Sequence, residues 1–145
     1  MMNITSAKSD PALHPTALAP TRGPGQTLAL WILQAILMFM FAVGGLMKLG
    51  GAHSMVHMFG QIGAGQWFRY LIGSFELAGA VGVLIPALSG LAAVALSALM
   101  AGASITNAFV IHTSPLLPLV FLVISVLVAR GRWPQARALA ARATR

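Results

Sequence analysis

The chain has no cysteine and almost no acid. Its 145 residues include two carboxylates, Asp10 and Glu76, against nine Lys and Arg, and charged residues make up only 8%. Without cysteine this chain can form no disulfide, thiolate metal site or covalent haem link, and can do no thiol redox chemistry. The scarcity of charge excludes more. A soluble domain carries about a quarter charged residues to cover its surface. A chain that is 58% hydrophobic with so little charge cannot solvate a globule of this size, so it reads as an integral membrane protein. The scarcity of acid leaves a net charge of +7, which in another setting would suggest nucleic acid. Here five of the nine basic residues crowd into positions 130–145 beside an apolar run. That pattern is an orientation signal at a membrane, not a nucleic-acid surface. Also missing are a nucleophile–base pair, a phosphate loop and a dinucleotide fingerprint. The glycine-rich "GGAH" and "GAGQ" follow no strand, and nothing marks the chain as an enzyme on its own.

What the chain has in abundance is apolar runs, four of them, at about 28–48, 67–85, 91–111 and 116–129. At 1.5 Å per residue, a helix of about 20 residues spans a hydrocarbon core of about 30 Å. The fourth run is short, which requires a thinned bilayer or an interface that takes in Thr113 and Pro115. Between the first two runs, His53 to Ile62 sets Met55, Met58, Phe59 and Ile62 on one helical face between glycines. This predicts a short helix lying in the interface. The "PALS" loop is tight enough to force an antiparallel hairpin. Residues 1–27 are rich in Pro, Ser, Thr and Ala with no apolar period, as in a disordered tail, and hold no cleavable signal core.

The expected architecture is therefore all-α, a four-transmembrane-helix bundle over 28–130 with a short interfacial helix between spans 1 and 2. A basic tail, 131–145, follows it. Lys8 and Arg22 before the first span, with Arg130, Arg132, Arg137, Arg142 and Arg145 after the fourth, place both termini in the cytoplasm. Only Lys48 and Arg69 flank the other side. Small residues crowd the second and third spans, Gly73, Gly79 and Gly82 facing Ala92, Ala95, Ala98 and Gly102, and predict close packing of that pair. Trp31, Trp67, Tyr70 and Trp133 fall near span ends. The basic tail is expected to hold the interface by attraction to anionic headgroups.

The costly residue is Glu76, about nine residues and so about 14 Å into its span. A carboxylate at a helix centre costs about 2.5–3.5 kcal/mol on insertion scales. Arg69, seven residues earlier, falls within about 20° on the same helical face. Lys48 closes the first span on the same side. Ser97, Ser104 and Asn107 stripe the third span, and His112 follows it. The sequence thus predicts a polar cluster of Glu76, Lys48, Arg69 and Asn107, joined by His112. Three readings stay open: an internal network that fixes helix register, a site for a proton, a quinone head group or a polar substrate, or simple snorkelling of the cations. His53 and His57, four apart, are weak metal candidates. A third ligand is needed and only His112 is at hand, so two wet interfacial histidines is the simpler reading.

"FAVGGLMKLGG" (Phe41 to Gly51), "WFRYLIGSFELAGAVGVLIP" (Trp67 to Pro86) and "LSALMAGASITNAF" (Leu96 to Phe109) resemble the DoxX-like family, small four-span bacterial membrane proteins. The resemblance runs over roughly residues 28–132. Glu76, Lys48 and Asn107 stand where the family's polar set looks to lie, with Asn107 in place of a histidine seen in relatives. The family takes its name from a subunit associated with membrane thiosulfate:quinone oxidoreductase. The resemblance therefore implies a bacterial inner-membrane protein, an accessory or quinone-proximal subunit whose oxidoreductase partner supplies the redox cofactor. A small proton-coupled transporter using Glu76, a homo-oligomer, and a purely structural or assembly role are the alternatives.

Overall fold

The computed structural model describes residues 23–143, with side chains omitted at 138–140, 142 and 143. The expected N-terminal tail lies outside the described residues, apart from its last five, of which Gly23 precedes and the other four open the first helix. The described chain forms five helices: α1 (Pro24–Leu49), α2 (His53–Ile62), α3 (Gln66–Leu84), α4 (Ser89–Phe109) and α5 (Leu116–Ala143). No strand occurs among the described residues.

The helix ends follow from local chemistry. Pro24 sits in the first turn of α1, where its missing N–H would have had no helical partner anyway. Gly51 and Gly63, at φ 71° and 77°, turn the backbone through the left-handed region on either side of α2, where a side chain would be strained. α3 stops at Leu84, two residues before Pro86, because proline disfavours helical backbone in the residue ahead of it. α2 has the range its periodicity predicts. Phe59 is buried, Met55, Met58 and Ile62 are half-buried, and His53 and His57 are exposed. The ring of Phe59 lies 5.9 Å from that of Phe68 on α3, so the apolar face of α2 is spent on the bundle.

The four long helices form a ring in the order α1, α3, α4, α5. The broadest contacts are α1 with α3 and α4 with α5, while α3–α4 and α1–α5 are narrower. The expected close packing of the second and third spans is present, but it is not the broadest contact. α3 and α4 do approach closely, for a methyl on Gly82 would lie 3.0 Å from Ala92 Cβ. α1 and α3 also approach backbone to backbone. A methyl on Gly45 would meet the Gly73 carbonyl at 2.9 Å, and one on Gly73 would meet the Gly45 carbonyl at 3.1 Å. In lipid there is no water to expel between helices, so such close van der Waals contact is what drives them together. Leu37, Val83, Leu96 and Val128 are fully buried at the centre.

α1, α4 and α5 as far as Arg137 are each long and apolar enough to cross a membrane. α3 has 19 residues and comparable length but is less apolar, since Gln66, Arg69, Ser74 and Glu76 interrupt it. Of the four expected spans, three are thus shown by length and composition, within an all-helical bundle. The last one is not short: α5 runs on through Pro134 to Ala143, so the basic segment begins as helix. Large apolar side chains stand exposed on every long helix, among them Phe39, Phe75, Ile105, Phe109 and Val123. A soluble monomer does not leave so much apolar surface bare. Lipid covers it, and the protein is embedded in a membrane.

Candidate functional site

The close approach of α1 and α3 builds the site. Because neither Gly45 nor Gly73 has a side chain, Lys48 on α1 can lie across Gly73. A methyl there would come within 3.0 Å of Lys48 Cβ. One turn further along α3 stands Glu76, and the Lys48 Nζ donates to its Oε2 at 2.8 Å. The carboxylate rests beside a third glycine. A methyl on Gly44 would sit 3.4 Å from Glu76 Oε2 and 3.7 Å from Lys48 Nζ. Both side chains are largely enclosed, 14% exposed for Lys48 and 5% for Glu76. The pairing offsets the cost of placing each charge in a low-dielectric setting.

Arg69 supports this pair and does not bond it. Its side chain is buried. Nη1 donates to the Lys48 backbone carbonyl, Nε donates to Gln66 Oε1 at 2.8 Å, and the guanidinium stacks over Tyr70 at 4.3 Å. Arg69 therefore caps the C-terminus of α1, where carbonyls lack helical partners and a cation is favoured by the helix dipole. The cap fixes the turn that carries Lys48.

Glu76 and Lys48 open onto a cavity of about 620 Å³ lined by residues of all five helices and open on one side. Its walls are mostly apolar, with Phe41, Met58, Phe59, Phe68, Leu99 and Phe121 prominent. Polar groups enter at only a few places: Lys48, Glu76, Thr106 and Asn107. The small residues of α4 explain the hollow. Ala95, Ala98, Gly102 and Ala103 face it and leave unfilled the volume that larger side chains would occupy. The sequence suggested that these residues serve close packing with α3; several of them instead make room.

Two further predicted members of the cluster, beside Arg69, are not bonded to the carboxylate. Asn107 lines the same cavity, but its Nδ2 donates to the Ser114 carbonyl at 3.4 Å. His112 lies exposed in the turn after α4, with φ 54°, outside the cavity lining. Ser97 and Ser104 donate back to Ala93 and Met100 carbonyls of their own helix, at 2.7 Å each, as helical serines commonly do. No group of three metal-ligating side chains occurs among the described residues, His53 and His57 included.

A second buried polar junction escaped the sequence reading. Gln34 is fully buried in α1 and donates to the Val83 carbonyl of α3. Its Oε1 accepts from Arg132 Nε and Nη2 of α5, at 3.1 and 2.6 Å. Arg132 also lies 5.1 Å over the ring of Trp31. One amide thus ties three helices together at the basic end of the bundle. The available signal was Gln34 itself, an amide inside the long apolar run "LALWILQAILMFMF". Polar groups there seek partners on other helices.

Neither the curated proteins nor the solved structures compared with the chain contain a match. The sequence profile of the DoxX-like family does match, over residues 32–128. That stretch holds both members of the ion pair and every residue of the cavity wall, and the chain belongs to the DoxX-like family.

Proposed function

We propose that this protein is a quinone-proximal subunit of a membrane redox system, and that its cavity holds a quinone head group against the Lys48–Glu76 pair. The observation that carries this reading is the composition of the cavity, an apolar chamber of about 620 Å³ with one ion pair on its wall. Ligand sites of roughly 300–1,000 Å³ are typically apolar with a few placed polar groups that fix orientation. A lipid-soluble ring with opposed oxygens suits that layout. The Lys48 ammonium is the donor for a carbonyl oxygen, and the Glu76 carboxylate is the acceptor for a hydroxyl. A bound quinone supplies two-electron, two-proton chemistry. The chain's own residues bind it, orient it and keep water away, and a partner oxidoreductase exchanges the electrons. α3 completes the bundle as a fourth crossing, for its 19 residues reach about 28 Å and it shows lipid an apolar face with Phe75 and Val81. With four crossings, the excess of Lys and Arg around the ends places both termini in the cytoplasm of a bacterial inner membrane.

The test is a thermal melt of the purified protein in mild detergent with and without a decyl-tailed benzoquinone. The quinone should raise the melting temperature of the wild type and leave Glu76→Gln unmoved. Equal shifts in both proteins, or none in the wild type, would overturn the reading. Copurification of a cofactor-bearing oxidoreductase in the same detergent would support the subunit role.

A further inference from the structure

A second hollow lies apart from the ion pair, on the outer surface between α4 and α5 toward the basic end. It is a groove of about 470 Å³ lined by Val94, Ser97, Val126, Ala129, Arg130 and Trp133. Val126, Arg130, Trp133 and Arg137 succeed one another at spacings of four, three and four, so they form a single stripe along α5. The stripe is apolar at its inner end and cationic at its outer end. Arg137 lies 5.6 Å over the Trp133 ring and so sets a second positive charge beside the groove.

Among the described residues the charge in this groove is unmatched. Arg130 is exposed, and no hydrogen bond or ion pair joins it to another described residue. Of the two carboxylates in the chain, Glu76 is held by Lys48 and Asp10 lies outside the described residues. Arg132, two residues on, turns inward to Gln34, whereas Arg130 opens onto a lipid-facing groove. An occupant that complements this surface is apolar along most of its length and anionic at one end.

We infer that the groove is a binding site for one anionic phospholipid. Arg130 and Arg137 hold its phosphate, Trp133 lies between them at the headgroup level, and an acyl chain runs along Val94, Val126 and Ala129. A guanidinium presents a planar fork of donors that fits phosphate oxygens two at a time, and tryptophan favours the headgroup level of a membrane. A free phosphate would find cations but no use for the apolar channel. The inference is independent of the quinone reading, because no residue is shared between the two hollows.

The test is lipid retention by the full chain in mild detergent, read by native mass spectrometry. Dioleoyl phosphatidylglycerol and dioleoyl phosphatidylcholine are titrated side by side. Phosphatidylglycerol should stay bound and phosphatidylcholine should not. A basic residue at an anionic membrane surface contributes enough that Arg130→Gln should weaken phosphatidylglycerol binding about fivefold. Adding Arg137→Gln should weaken it again by a similar factor. The double change Arg142→Gln and Arg145→Gln, which removes charge elsewhere in the basic segment, should leave retention unchanged, and inorganic phosphate should not displace the lipid. Because Arg130 is exposed, its replacement should leave the far-ultraviolet circular dichroism intact. Equal retention of the two lipids would overturn the site. So would displacement by inorganic phosphate, or a loss from the Arg142 and Arg145 pair as large as that from Arg130→Gln.

Discussion

Lys48→Met is the sharpest probe of how the site is held together. The Nζ–Oε2 separation is 2.8 Å, which at an effective dielectric near 20 corresponds to a gross attraction of about 6 kcal/mol. Much of that is offset by the desolvation of both groups, so deleting the intact pair costs far less than breaking it. Lys48→Met leaves Glu76, only 5% exposed, without its cation. Removing one partner of a buried pair costs about 3–5 kcal/mol, and the lower end applies here because the cavity gives the carboxylate some relief. Glu76→Gln should cost less, about 1–2 kcal/mol, since the amide oxygen still accepts from Nζ and Lys48 is the more exposed partner. The double variant Lys48→Met/Glu76→Leu should fall within about 1 kcal/mol of wild type, because it removes both charges and fills the space with apolar atoms. The assay is unfolding in mixed micelles titrated with sodium dodecyl sulfate, followed by circular dichroism for all four proteins of the cycle, with Leu at position 76 in the single variant too. A coupling energy of at least about 2 kcal/mol is expected. Strict additivity, or a harmless Lys48→Met, would show that the pair contributes nothing and that the site has been misread.

Further outcomes follow from the same geometry. Gly45→Ala places a methyl 2.9 Å from both the Gly73 carbonyl and Leu77 Cγ. It should destabilise the protein by about 1–3 kcal/mol through overpacking, and by parting α1 from α3 it should also weaken the quinone-dependent melting shift. Gly102→Leu is the converse. A Cβ at Gly102 meets nothing within 4 Å and faces the cavity, so stability should hold or rise by up to about 1 kcal/mol from helix propensity while the quinone shift disappears. Gln34→Leu removes an acceptor from two N–H groups of buried Arg132 and a donor from the Val83 carbonyl. The expected loss is about 1–3 kcal/mol in the same micellar titration, with no change in the quinone shift.

The sequence by itself determined the solvent and the elements. Too little charge to face water requires lipid, and the apolar runs and glycine breaks marked out the helices. The range of α2 was legible because Met55, Met58, Phe59 and Ile62 repeat at helical spacing, a local property. Lys48 and Glu76 could be named as partners because each is conspicuous in an apolar run and few opposite charges exist to answer either.

Tertiary structure decided everything that depends on which faces meet. Small residues permit close approach but do not say to what. Gly45 and Gly73 serve helix contact, while Ala98 and Gly102 serve a hollow, though all four look alike in the chain. Arg69 seemed a second cation for Glu76, yet its guanidinium found a carbonyl at the end of α1 nearer to hand. Arg132 seemed an orientation signal and is a buried tie to Gln34, while Arg130, two residues away, has no partner among the described residues. The physical reason is common to all of these. Helical period fixes a residue's direction around its own axis, but the rotation and crossing of neighbouring helices, set by the sum of many weak contacts, fix what lies in that direction.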